Sequence, residues 1–159
     1  MNRKPLWDVE LASRLVEEVK DADGPLLPIL HSLQETFGYI DRAAIAPLAE
    51  ALNLSRAEIH GVVSFYHDFR SAPAEGRVLK LCRAESCQAT GCEKLVDHLR
   101  DAHGVILDQP NGGGLQVETV YCLGNCALSP SALLDGAPIG RLDAAKLDEI
   151  ALQAREAAP

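Results

Sequence analysis

All five cysteines of the chain, at positions 82, 87, 92, 122 and 126, fall in its second half. The opening stretch MNRKPLWDVE lacks the apolar segment of a secretory signal, so a reducing compartment is expected. There, clustered cysteines at short spacings hold a metal or do redox chemistry more often than they form disulfides. Two local pairs stand out, Cys82-x4-Cys87 and Cys122-x3-Cys126. Each falls where an expected strand gives way to a loop, so both pairs can meet at one end of a sheet. Four thiolates at these spacings suit two adjacent tetrahedral irons bridged by two sulfides. They also suit a single four-cysteine zinc ion that only holds the fold together, although zinc sites favour tighter C-x2-C knuckles. No C-x-x-C dithiol is present, and Thr90 stands where the plant-type ferredoxin spacing would need its third cysteine. Cys92 reads as a small buried apolar residue in the first turns of a helix, facing away from the ligand loop.

Other chemistry is thin. The His residues at 31, 60, 67, 98 and 103 show no repeated ligand spacing and read as surface or hydrogen-bonded groups. There is no Ser-His-Asp pattern, and Gly112-Gly113-Gly114 reads as a plain turn because no GxGxxG or GxxxxGK[ST] accompanies it. No catalytic residue is therefore expected in this chain, and any flavin or nucleotide is expected on a partner. With 23 acidic against 15 basic residues the net charge is −8, which disfavours a nucleic-acid partner. No apolar run approaches the roughly 20 residues of a membrane helix, so a cytoplasmic protein without membrane insertion is expected.

At 159 residues the chain has room for one compact domain or two small lobes. The first half reads as a helical bundle over 1–70. Trp7, Leu11, Leu15, Val16 and Val19 share one helix face; Leu26, Ile29, Leu30, Leu33 and Phe37 line a second helix that Gly38 ends. Asp41 is placed to cap a third segment, which Pro47 should kink or divide, and Ser55-x-x-Glu58 forms a capping box ahead of a fourth helix. The apolar run Gly61–Tyr66 is a candidate docking surface or simply core. The polar stretch His67–Arg77 reads as a linker to an α+β lobe over 75–159. In that lobe Val78–Cys82 is an expected strand and Glu93–His103 the helix that crosses back. A second strand runs from Leu115 up to Tyr121-Cys122 and ends at that cysteine, and Asp135-Gly136 turns a short hairpin before Asp143 caps a final helix through Ile150.

Cys82-Arg-Ala-Glu-Ser-Cys87, Tyr121-Cys-Leu-Gly-Asn-Cys126, Pro130 and Asp135-Gly136 together resemble the thioredoxin-like [2Fe–2S] ferredoxin family, whose members include the 24 kDa-type subunit beside the flavin subunit of respiratory complex I. The helical half, with Leu30-His-Ser-Leu-Gln-Glu-Thr-Phe-Gly-Tyr-Ile40 and Leu54–Tyr66, is similar to that family's N-terminal bundle. The resemblance implies one [2Fe–2S] cluster held by Cys82, Cys87, Cys122 and Cys126, with Cys92 a departure from the family pattern. The wording Arg83-Ala-Glu-Ser-Cys87-Gln88 resembles the corresponding subunit of cytosolic NAD-dependent, molybdenum-containing formate dehydrogenases. That likeness implies an FMN- and NAD-binding flavoprotein partner and a molybdenum/iron–sulfur catalytic partner. Equivalent subunits of complex I or of an NAD-reducing hydrogenase carry the same motifs, and a zinc-stabilised interaction domain is the alternative of another class.

Overall fold

The computed structural model describes residues 5–74, 76–112 and 114–157. Gly113 of the expected glycine turn, Glu75 at the start of the expected second lobe, and the chain ends lie outside the described residues. The fold is α+β, and the chain divides into two compact units, 1–74 and 75–159.

In the first unit α1 (Val9–Val19) begins at Asp8, whose carboxylate accepts the Leu11 N–H at 2.8 Å. Trp7 therefore lies ahead of the helix rather than on its face, and its ring packs on Phe37 with centroids 4.8 Å apart. Helix α2 (Leu26–Phe37) ends at left-handed Gly38, and its Ile29, Leu30, Leu33 and Phe37 form the centre of the unit's core. The third segment is divided: a 3₁₀ turn over Arg42–Ala44, capped by Asp41, runs into α3 (Ile45–Ala51). Pro47 falls in the first turn of α3, where its missing N–H has no intrahelical partner to lose, and the division of the segment lies ahead of it, between Ala44 and Ile45. The Ser55–Glu58 capping box opens α4 (Arg56–Phe65) with both reciprocal hydrogen bonds present. The first residues of the expected linker are not free. Phe69 is buried against this core and stacks obliquely on His31, while Arg70 donates its N–H to the Gln34 side chain at 2.7 Å and accepts the Ile40 N–H at 2.7 Å.

The second unit consists of β1 (Arg77–Cys82), α5 (Glu85–Ala89), α6 (Cys92–His103), β2 (Leu115–Val120), β3 (Ala132–Leu134), β4 (Ala137–Ile139) and α7 (Ala144–Glu156). Its four strands lie in the order β2-β1-β3-β4, with β1 and β2 parallel and the β3–β4 hairpin antiparallel. Asp135 and Gly136, both with positive φ, form the two-residue hairpin turn whose twist matches the strands. Asp135 also reaches β1, accepting the Val78 N–H at 2.9 Å and pairing with Arg77 at 2.8 Å. Leu79, Leu81, Val117 and Ala132 on the sheet pack with Leu95 and Leu99 of α6 and Leu147, Ile150 and Ala151 of α7. The final helix runs past the expected Ile150 because Ala151 and Ala154 continue its buried face.

The edge of the β1–β2 pair depends on a glycine. Gly76 has φ +125°, and a Cβ there would lie 2.2 Å from the Gly114 carbonyl oxygen that accepts the Arg77 N–H. Gly76→Ala is expected to cost more than about 2 kcal/mol, combining backbone strain with that clash. Gly112→Ala, which meets open space at φ +59°, should cost only about 1 kcal/mol. Denaturant unfolding of both variants checks the difference.

Candidate metal centre

Parallel pairing is what gathers the cysteines. Cys82 ends β1 opposite Val120, the end of β2, so the loops leaving both strands emerge at one end of the sheet. Ser131, entering antiparallel β3, lies at the same end, where its carbonyl accepts the Cys82 N–H at 3.0 Å. The first loop turns at once into α5, which carries Cys87, and left-handed Gly91 separates α5 from α6. Cys82 and Cys87 are 2 % and 1 % exposed, whereas Cys122 and Cys126 are exposed.

The second strand stops at Val120, two residues short of the expected end at Cys122, because the loop is bent by two left-handed residues, Cys122 at φ +67° and Gly124 at φ +72°. A cysteine in that region stores roughly 1–2 kcal/mol of backbone strain. The bend brings the Cys122 and Cys126 sulfurs to 3.9 Å. Thiolates about 2.3 Å from one tetrahedral metal lie about 3.8 Å apart, so this is the spacing of two ligands on one ion and far beyond a disulfide. All five cysteines are free thiols.

Hydroxyl groups tie the loops together. Ser86 and Ser129 share a hydrogen bond at 2.6 Å, and Ser129 donates to the Cys126 carbonyl at 2.6 Å. The Ser131 hydroxyl lies 3.7 Å from the Cys87 sulfur. Burial pushes the Cys87 thiol up, but hydrogen bonds from the Ser131 backbone and side chain, with contacts from Cys82 and Ser129, outweigh it and hold Cys87 below the usual thiol value. Cys126 is pushed up, first by its hydrogen bond with Cys122, then by the charge on Cys122 and by desolvation, with smaller contributions from the charges of Cys87 and Cys82.

Cys92 is fully buried, but it does not face away from the loop: it packs in one cluster with Cys82 and Cys87. It opens α6 right after Gly91, and that one-residue break turns its side chain toward the sheet end. Burial, then the neighbouring charges of Glu93 and Cys87, raise its thiol to about 11. Arg83, between Cys82 and Cys87, clamps Glu93 through two hydrogen bonds of 2.9 and 2.8 Å and so fastens the loop to α6.

Residues 12–155 match the family described as thioredoxin-like [2Fe-2S] ferredoxin. The chain belongs to this family. As a thioredoxin-like ferredoxin it is similar to the NADP-reducing hydrogenase subunit HndA of Solidesulfovibrio fructosivorans, with 26 % identity across 86 % of this chain and 81 % of that one. An NADH-quinone oxidoreductase subunit of Rhizobium meliloti is 29 % identical across 82 % of this chain and 78 % of the relative. Among solved structures, a chain of the NAD+-reducing [NiFe]-hydrogenase in the air-oxidized state superposes with TM-score 0.72 and 30 % identity, covering 84 % of this ferredoxin and 23 % of that chain. The family carries one [2Fe–2S] cluster. Two local pairs of reduced cysteines suit it as a donor set. A single tetrahedral zinc would draw its four sulfurs to about 3.8 Å from one another. The Cys122–Cys126 separation of 3.9 Å is equally that of two thiolates on one iron of a two-iron cluster.

The hydropathy pattern gives no sign of the serine network or of Gly140. A Cβ on Gly140 would lie 2.5 Å from the Leu128 Cβ, in the 3₁₀ turn Cys126–Leu128 whose Leu128 carbonyl accepts the Arg141 N–H at 2.6 Å. Gly140→Ala should push that turn, and Cys126 with it, off its support at a cost of about 1–3 kcal/mol. The expected readout is several-fold faster bleaching of the visible absorbance in air. No helix among the described residues is long and apolar enough to cross a membrane.

Proposed function

We propose that Cys82, Cys87, Cys122 and Cys126 hold one [2Fe–2S] cluster and that the chain is an electron-transfer subunit of an NAD-linked oxidoreductase, placed beside a flavin. The observation that carries the reading is the exposed Cys122–Cys126 pair, 3.9 Å apart, standing at one sheet end with the buried Cys82–Cys87 pair. The bound cluster supplies reversible one-electron chemistry. The chain's own residues do the rest. Cys82 and Cys87 exclude water from one side, and the Ser131 hydroxyl and backbone stabilise negative charge on Cys87. The exposed loop of Cys122 and Cys126 leaves the other side open to a partner. Relatives named as hydrogenase and NADH-quinone oxidoreductase subunits support a place in such a complex.

The finer proposal is the gamma-type subunit of a cytoplasmic NAD-dependent formate dehydrogenase, with an FMN- and NAD-binding flavoprotein and a molybdenum/iron–sulfur catalytic subunit as partners. Its support is the wording Arg83-Ala-Glu-Ser-Cys87-Gln88. We place the flavoprotein contact on the helical half, over 1–70, where Phe65 is 73 % exposed. Phe65→Glu in the full chain is expected to cut flavoprotein co-purification by about tenfold or more with iron content unchanged.

Anaerobic purification from the native source, with iron and sulfide assays and EPR after reduction, tests the whole. Molybdenum and FMN in a soluble complex that reduces NAD with formate support the finer reading. Nickel would assign the chain to a hydrogenase, and a membrane-bound quinone reductase to complex I. Colourless, zinc-loaded protein that stays EPR-silent on reduction would overturn the electron-transfer role.

A further inference from the structure

We propose that His98, His103 and Asp148 form a second metal site, separate from the cysteine centre, for a divalent transition-metal ion of the zinc type. The sequence gives little sign of it, because His98 and His103 are five apart on α6 and the third group is on α7. The fold converges them. His98 Nε2 lies 2.6 Å and His103 Nε2 2.7 Å from the same Asp148 Oδ1, and the three ligand atoms all lie within 4.8 Å of one another. The imidazole rings meet edge to face, with centroids 5.7 Å apart.

The support beneath these groups is rigid. Leu95 and Leu99 of α6 share a buried core with Leu147, Ile150 and Ala151 of α7, and Arg155 donates to the His103 carbonyl at the end of α6 at 3.1 Å. Ligand atoms on one tetrahedral ion lie about 3.3 Å apart, so the Asp148 oxygen need only draw back from the two rings by roughly half an ångström to admit one. Two imidazoles and one carboxylate select zinc, nickel or copper over calcium and magnesium, which prefer all-oxygen sites, and over the softer metals that need thiolates. The Asp148 side chain is 50 % exposed, which leaves an entry path and open positions for water ligands. Without an ion, two ring N–H groups crowd one carboxylate oxygen. With one, each ring offers its Nε2 lone pair, and the proton on that nitrogen moves to Nδ1 of a neutral ring or leaves a protonated one.

The affinity has a built-in limit. His103 Nδ1 is buried with no partner, so it lacks the outer hydrogen bond that metal-bound histidines usually make. The site should therefore be roughly 10–100-fold weaker than one with both ring nitrogens engaged. By bridging α6 and α7, the ion would stabilise the second unit.

The test uses untagged protein with its native cofactor content, titrated with zinc alone under anaerobic conditions. Calorimetry, metal analysis after dialysis and thermal melting are the readouts. The expected result is one zinc per chain beyond any already present and a raised melting temperature, with iron content and the EPR signal unchanged. Asp148→Asn keeps the shape and an acceptor but removes the carboxylate, and His98→Gln removes one imidazole. Each should weaken zinc binding at least about tenfold and abolish the thermal shift. Binding of equal strength in both variants, no binding at all, or uptake only at the expense of iron would overturn the site.

Discussion

Cys122→Ser and Cys126→Ser are each expected to strip most of the iron from the purified protein and to destabilise the second unit by about 3–5 kcal/mol. The two losses share a cause. The unit spans 75–159, and among the described residues its sheet has four strands, two of them three residues long. A core that small gains much of its stability from whatever links its loops. The bend at Cys122 is also strained, and metal ligation is the interaction that would compensate for it. Cys92→Ser is the discriminating control. It is equally buried beside Cys82 and Cys87, but as a packing residue it should lower the melting temperature modestly and leave iron and sulfide intact. Iron assay, visible absorbance and thermal melting of the three variants check the prediction. Unchanged iron in the Cys122 and Cys126 variants would remove those two residues from the ligand set, and loss of iron in Cys92→Ser would put Cys92 among the ligands in place of one of the four.

The fold is readable where local rules act alone. The Ser55–Glu58 box, the Gly38 stop, the Asp143 cap and the Asp135-Gly136 turn are short-range devices, and each stands where the chain spells it. Misplaced features depend on contacts from elsewhere. Trp7 has the helical spacing of α1, but Asp8 caps the helix after it and Phe37 takes its ring. The polar look of His67–Arg70 hides Phe69, which the helical core and the Gln34 side chain draw in. Periodicity puts Cys92 on the wrong face because the orientation of α6 hinges on left-handed Gly91, one residue that a helical repeat does not register. At the candidate centre, cysteine spacing is legible because two sulfurs on one metal must be near in sequence or held by a loop. The serines at 86, 129 and 131 are not, since hydroxyl side chains are ordinary in loops and only the closed tertiary structure puts them against Cys87 and Cys126. His98, His103 and Asp148 are hidden for the same reason, with 45 residues separating the last two.

Two leucine truncations should separate the contributions of the two halves to the centre. Leu81 is fully buried in β1, pairs with Thr119 on one side and Ala132 on the other, and directly precedes Cys82. Leu33 is fully buried in α2 at the middle of the helical core. Each truncation to alanine removes the same side-chain atoms, so each should cost about 2–5 kcal/mol within its own unit. Their consequences at the centre should differ. Leu81→Ala loosens the strand that holds Cys82 in register with Val120, so iron should be released faster to a chelator and the absorbance should bleach at a lower denaturant concentration. Leu33→Ala should lower the melting of the helical unit while the chelation rate stays that of the parent protein, because no residue of that unit is among the proposed ligands. Chelator-release kinetics followed at the visible band, together with calorimetric melting resolved into its transitions, provide the comparison. Equal acceleration of iron release in both variants would mean that the halves unfold as one cooperative body, and that the helical unit supports the centre as well as carrying the proposed partner contact.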